Sequence, residues 1–145
     1  MHLLTLYTAG RELYWETSTD GSYWTTEPAG DLQKLAGFGG HYQVTRLDTL
    51  KGRVGSALNY HPGGNVDRRT NIYYVETDDF GRTWRAVDGR ELSVPMDGRD
   101  NPALVVDYEA ENRLAYITKL LFDRDGNPVI VAVTSLIGFS KKHLL

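Results

Sequence analysis

The chain has 145 residues, enough for one modest core and too few for two independent domains. It contains no cysteine, which excludes disulfide frameworks and thiolate metal sites and leaves His, Asp and Glu as the only ligands a metal could use. A net charge of -3 with both signs interspersed excludes the clustered basic footprint of a nucleic-acid binder, and no apolar run reaches the roughly 18 residues of a membrane helix.

Taken in chain order, the predicted elements are almost all strands. The opening MHLLTLYTAGREL lacks a basic region, a long apolar core and a cleavage site, so no signal peptide is read. LLTLYT (3–8) and ELYWET (12–17) flank the turn AGR, and the turn STDGSYW (18–24) follows. DLQKLAG (31–37) could make one helical turn and is too short to count as a helix; GFGGH (37–41) is glycine-rich but lacks a nucleotide-binding pattern. YQVTRLD (42–48) and RVGSALNY (53–60) flank DTLKG, the loop HPGGNVDRR follows, and NIYYVET (71–77) runs into TDDFGRTW. ALVVDY (103–108), RLAYITKLLF (113–122) and PVIVAVTS (128–135) complete the set, with EAEN and DRDGN between them, before the strand pattern is lost in LIGFSKKHLL. β-Branched and aromatic residues dominate these runs, so the fold class is all-β.

The chain also repeats itself. Tyr14/Tyr74, Glu16/Glu76, Thr17/Thr77, Gly21/Gly81 and Trp24/Trp84 match at a constant offset of 60, and a strand-bearing repeat of this size points to a radial array of small antiparallel sheets. As four-stranded propeller blades, residues 1–26 supply three outer strands of a first blade, 41–87 a complete second, and 103–135 three strands of a third, all within one partial domain, 1–145. About two and a half blades cannot close a ring that typically needs at least about four, so the chain reads as a piece of a longer protein. Missing blades or self-association are then expected as partners, because open blades leave unpaired strand edges.

Each repeated turn has three working parts. Asp79 can accept backbone N–H groups, Gly81 can adopt a positive φ, and Trp84 can anchor the next strand in the core; Asp20, Gly21 and Trp24 offer the same in a version one residue shorter. A turn whose polar atoms serve its own backbone has little left for chemistry, so both are read as structural.

These turns carry a resemblance. Thr77, Asp79, Gly81, Thr83 and Trp84 match the Asp box, S/T-x-D-x-G-x-T-W, of the bacterial neuraminidase (BNR) repeat, and Ser18, Asp20, Gly21 and Trp24 look like its shortened variant. With GGHYQV (39–44), NYHPGG (59–64), DRRTNIYYVETDDFGRTW (67–84), NPALVVDY (101–108) and DGNPVIVAVTS (125–135), the chain resembles the BNR-repeat family of seven-bladed propellers that includes ulvan lyases. The resemblance implies a carbohydrate-active parent, secreted or periplasmic, with a polysaccharide or glycan as partner.

Candidate site residues follow from hairpin geometry. A hairpin centred near Lys51 sets residues whose numbers sum to about 102 opposite one another, which places His41 and His61 together at the end away from Lys51, while the Asp box belongs with Lys51. The rim carrying the histidines is expected to hold HPGGNVDRR with Arg68 and Arg69, and by analogy Arg11 and DRDGN. A histidine pair with nearby arginines suits β-elimination on a uronate sugar: Arg clamps the carboxylate, neutral His takes the C5 proton, and Tyr or a second His protonates the leaving oxygen. The resemblance points the same way, since ulvan lyases use His with Tyr and Arg on a propeller face. His41 and His61 are the catalytic candidates, with Arg68, Arg69, Tyr60 and Tyr108 as substrate-binding candidates and Tyr42 as a further possible partner. The isolated chain is expected to be a poor enzyme, because a ring-centred site draws groups from several blades.

The competing expectations are a non-catalytic glycan- or protein-binding propeller and a sialidase- or glycosidase-like hydrolase. The hydrolase needs either an arginine triad, for which Arg11, Arg68 and Arg69 exist, or paired carboxylates, for which Asp67, Asp123 and Asp125 are the candidates. Two histidines fall short of a zinc ligand set, DRDGN reads as a tight turn rather than a calcium loop, and no cofactor or metal is expected. No G-x-S-x-G elbow anchors a serine hydrolase triad.

Overall fold

The computed structural model describes residues 3–9, 12–24, 33–36, 38 and 40–138. Arg11 and most of LIGFSKKHLL lie outside these residues. The strands are β1 (Leu3–Ala9), β2 (Glu12–Ser18), β3 (Gln33–Ala36), β4 (Gly40–Asp48), β5 (Arg53–His61), β6 (Thr70–Thr77), β7 (Leu104–Val106), β8 (Arg113–Phe122) and β9 (Pro128–Leu136). They form three antiparallel sheets, ordered β1-β2-β3, β4-β5-β6-β7 and β8-β9.

The sheet limits depart from the sequence expectation in three places. DLQKLAG, considered for a helical turn, contributes β3, which pairs with β2, so the first sheet extends past residue 26. A segment of this length has too few turns to stabilise a helix alone, whereas the free edge of β2 offers immediate hydrogen bonds. The fourth strand of the second sheet is β7, expected to open the third sheet; Leu104 pairs with Tyr73 and Val106 with Ile72. Between box and β7, Arg85 exchanges both backbone hydrogen bonds with Glu76 and then pairs with Glu91, so this chain end caps β6 before the strand proper begins. The third sheet accordingly starts at β8 and holds two strands among the described residues.

Side-chain alternation divides the core in two. Opposing residues of an antiparallel pair share a face, so Leu58 and Tyr73 point one way and Ala57 and Tyr74 the other. Leu58, Tyr73 and Val75 join Leu6, Leu13 and Trp15 of the first sheet, with Trp84, Leu92 and Met96 closing that cluster. Ala57, Ile72 and Tyr74 join Ala115, Ile117 and Leu120 of the third. The middle sheet is therefore buried on both faces, which is why β6 reads as a nearly unbroken apolar and aromatic run.

The two boxes are built alike. Ser18 Oγ accepts the Gly21 N–H at 2.7 Å and Thr77 Oγ1 accepts the Gly81 N–H at 2.9 Å. Asp20 accepts the backbone of Ser22 and Tyr23, and Asp79 accepts the Thr83 N–H and hydroxyl at 2.9 and 2.7 Å. The glycines take φ of 84° and 85°, a region a side chain resists. The tryptophans differ: Trp84 is fully buried edge-on to Trp15, 5.6 Å between rings, whereas Trp24, expected in the core, is 39 % exposed.

Candidate functional site

β4 begins and β5 ends on the rim away from Lys51, so chain direction alone brings His41, Tyr60 and His61 to one end of the second sheet. A short 3-10 turn, Pro62–Gly64, then lifts the chain into the rim loop. The loop is held by its own backbone: Asn65 N–H donates to Pro62 O at 3.2 Å, Arg68 N–H to Asn65 O at 3.1 Å, and Asp67 N–H to Asn65 Oδ1 at 2.9 Å.

The observed register is one residue short of the expected sum. His41 lies opposite Tyr60, and His61 opposite Gly40. A one-residue slip moves a side chain to the other face, so the histidines share a rim without sharing a cleft. His41 and Tyr60 face the first sheet; His61, in step with Asn59 and Ala57, faces the third. The expectation of two imidazoles converging as a pair is corrected to a His41–Tyr60 pair, with His61 across the sheet.

His41 is 3 % exposed and His61 4 %. Phe38 stacks edge-on to His41 at 4.6 Å and lies 5.8 Å from the Tyr60 ring. His41 Nδ1 sits 3.2 Å from the Asn59 carbonyl oxygen, which can only accept, so Nδ1 carries the proton and Nε2 keeps the lone pair. Burial lowers the His41 pKa to about 4 against the opposing pull of the Asn59 carbonyl and of Glu12, so the ring is neutral at physiological pH.

The remaining candidates are dispersed. Arg68 is exposed on the rim loop. Arg69 stacks over Tyr42, guanidinium carbon to ring centroid 4.3 Å, on the face toward the third sheet. Tyr108 follows β7 at the same rim, but it packs on the second cluster and lines an open apolar groove with Ile72, Tyr74, Ile130 and Ala132. DRDGN, expected on the rim, sits at the opposite end, where Arg53 donates to the Gly126 carbonyl and also pairs with Asp48 at 3.0 Å and Glu76 at 2.5 Å. The reason is strand direction: β8 leaves the rim, where Ala115 N–H donates to Arg69 O, and delivers Asp123 and Asp125 to the Lys51 end. Asp67 is thus separated from Asp123 and Asp125, which share one turn at the Lys51 end.

Sequence reasoning passed over two buried amides that organise this end. Asn59 donates to the Asn71 carbonyl at 3.0 Å and accepts the Ile117 N–H at 3.3 Å, joining all three strands β5, β6 and β8. Asn71, at φ 49°, makes the bulge that shifts the β5–β6 register between Asn59 and Tyr60 and accepts the Glu109 N–H at 2.8 Å. Their signal was legible: an Asn inside an apolar strand needs buried partners, because an unsatisfied amide there costs about 1–3 kcal/mol.

Antiparallel sheets stacked face to face, the first two closed by an Asp box at one end and the second open to a loop-bearing rim at the other, define a segment of a BNR-type β-propeller. The chain belongs to the BNR repeat-containing family, whose model matches residues 9–142. Among solved structures it is similar to an ulvan lyase of polysaccharide lyase family PL25 bound to -[GlcA(1-4)Rha3S]-, with TM-score 0.71, 11 % identity, 96 % of this chain and 36 % of that one covered. A second structure of a PL25 ulvan lyase gives TM-score 0.70 at the same identity and coverage, 11 %, 96 % and 36 %. The chain therefore spans about a third of the length of the lyases it matches. No curated protein sequence matches it.

Proposed function

We propose that this chain is part of a polysaccharide lyase-like propeller that cleaves a uronate-containing glycan by β-elimination. The observation that carries the reading is the tautomer of His41: a neutral ring with its proton held on Nδ1 by Asn59 O leaves Nε2, enclosed and bonded to no described group, unprotonated, the form a general base must have. In this mechanism His41 Nε2 takes the C5 proton of the uronate, the electrons form the C4=C5 double bond, and the C4–O bond breaks. The Tyr60 hydroxyl, opposite His41 on the same sheet face, protonates the leaving oxygen. Arg68, exposed on the loop above, is the cation for the sugar carboxylate, which must be neutralised for the C5 proton to become acidic. His61 takes no proton in this scheme. Resemblance to the ulvan lyase fold supports the reaction class and no more, given the 11 % identity.

A second reading follows from burial. Both imidazoles are nearly inaccessible while Tyr42 is 37 % exposed, an arrangement that favours a rim that holds glycan without cutting it. The two readings separate in one experiment on the chain in its full reading frame with uronate polysaccharides. Elimination yields an unsaturated uronate, seen by its ultraviolet absorbance, and His41→Asn abolishes it. Glycan binding that persists in His41→Asn with no unsaturated product from the unsubstituted protein establishes the second reading instead.

A further inference from the structure

Arg69 is the last residue of the rim loop, half-buried, and no carboxylate among the described residues pairs with it. Its guanidinium carbon lies 4.3 Å from the Tyr42 ring centroid and 5.6 Å from that of Tyr116, and its Nε is buried with no acceptor. The clamp is rigid on its far side, because the Tyr116 hydroxyl donates to the Asp67 carbonyl at 2.9 Å. Asp67 thus offers this cluster its backbone oxygen, not its charge.

Aromatic faces attract a guanidinium but supply no lone pair for its N–H edge. With Nε enclosed and the terminal nitrogens bonded to no described group, an oxyanion would meet the guanidinium at those terminal nitrogens, and the planar fork prefers carboxylate and sulfate oxygens. Arg53 shows the contrast within the same chain, with Asp48 and Glu76 both in contact. Tyr42 follows His41 in β4, so its ring and Arg69 lie on the face toward the third sheet, one cleft away from His41 and Tyr60.

We propose that Arg69, Tyr42 and Tyr116 form an accessory subsite for an oxyanion group, carboxylate or sulfate, on an acidic glycan, separate from the reacting sugar. Arg69 holds the oxyanion, and Tyr42, 37 % exposed, lays its ring against the apolar face of the sugar that bears it. The choice of glycan rests on the reading above; the preference for an anion does not. A ligand long enough to reach both clefts would bind as a polyanion, with a salt dependence steeper than one contact gives.

The test follows the Arg69 Nε–H resonance while a sulfated glucuronate oligosaccharide, its desulfated form, a neutral oligosaccharide and inorganic sulfate are added at matched ionic strength. A saturable shift with the acidic oligosaccharides, and affinity about tenfold weaker in Arg69→Gln, is expected. The difference between sulfated and desulfated forms names the oxyanion. Arg69→Lys, which keeps the charge and loses the fork, should weaken binding as well. Equal binding of the neutral oligosaccharide, equal affinity for inorganic sulfate and the oligosaccharide, or unchanged affinity in a folded Arg69→Gln protein overturns the subsite. If Arg69→Gln does not fold, the unsubstituted resonance decides: no shift with acidic oligosaccharide overturns it. Turnover abolished by His41→Asn with Arg69-independent binding sinks the subsite alone, whereas Arg69-dependent binding without turnover sinks the elimination reading alone.

Discussion

Gly81→Ala isolates what the Asp box does beyond making a turn. Gly81 sits at φ +85°, and a Cβ there would fall on Trp15 Nε1 and lie 2.6 Å from Cδ1 and 2.9 Å from Cε2. Trp15 belongs to the first sheet and Gly81 to the turn that follows β6 of the second, so the substitution wedges two sheets apart at a buried tryptophan pair. The left-handed backbone costs about 1–2 kcal/mol and overpacking about 1–3 more, together about 2–5 kcal/mol. Gly89 is the internal control, since φ is +86° and nothing lies within 4 Å of its added Cβ, so Gly89→Ala carries the backbone term alone. At roughly 2–4 °C per kcal/mol, Gly81→Ala should lower the midpoint of thermal unfolding roughly 2–12 °C further than Gly89→Ala. Equal losses would mean that the box is a turn and not an inter-sheet wedge, and the packing given for Trp15 and Trp84 would be wrong.

His41 is held neutral, so between its ordinary value of 6.5 and about 4 the unfolded chain binds the extra proton and stability falls with falling pH; the shift is worth roughly 3 kcal/mol. His41→Phe should remove that slope in denaturant titrations run from pH 7 to pH 4, and an unchanged slope would contradict the burial. Asp79 pays desolvation first, but hydrogen bonds from Thr83 and Thr77 and the charge of Arg85 outweigh it and hold its pKa below 3.8. Its stabilisation is therefore present above the carboxylate range and lost as pH falls through the folded value; Asp79→Asn should lower stability at pH 7 and flatten the acid limb of the unfolding profile. Arg53→Met leaves Asp48 and Glu76 without their cation and should cost about 3–5 kcal/mol, with hydrogen exchange faster first in β8 and β9, whose turn it tethers at Gly126.

How much of this was legible depends on range. Period-2 patterning and the matched boxes give eight of the strands and the stacking of sheets, because alternation and Asp-box turns are local properties of the chain. β3 was missed because QKLA has no strand pattern of its own and is recruited by the β2 edge. The rim was legible in chain direction, which puts both histidines, Arg68 and Arg69 at the end where the structure has them. The cleft was not: a single residue of register decides the face, and a loop sequence such as DTLKG fixes its centre only to within that residue. DRDGN was misplaced by matching it to the box-distal loops, although counting strands from Arg113 sends it to the Lys51 end. The Arg69 stack joins β4, the rim loop and β8, and contacts among three segments so far apart leave no mark on any one of them.

Product analysis on the chain in its full reading frame is the most direct measurement. With a glucuronate-containing polysaccharide as substrate, the expected result is an unsaturated uronate at the new non-reducing end, lost in both His41→Asn and Tyr60→Phe. New reducing ends without that double bond, or undiminished cleavage in His41→Asn, would contradict β-elimination at this rim.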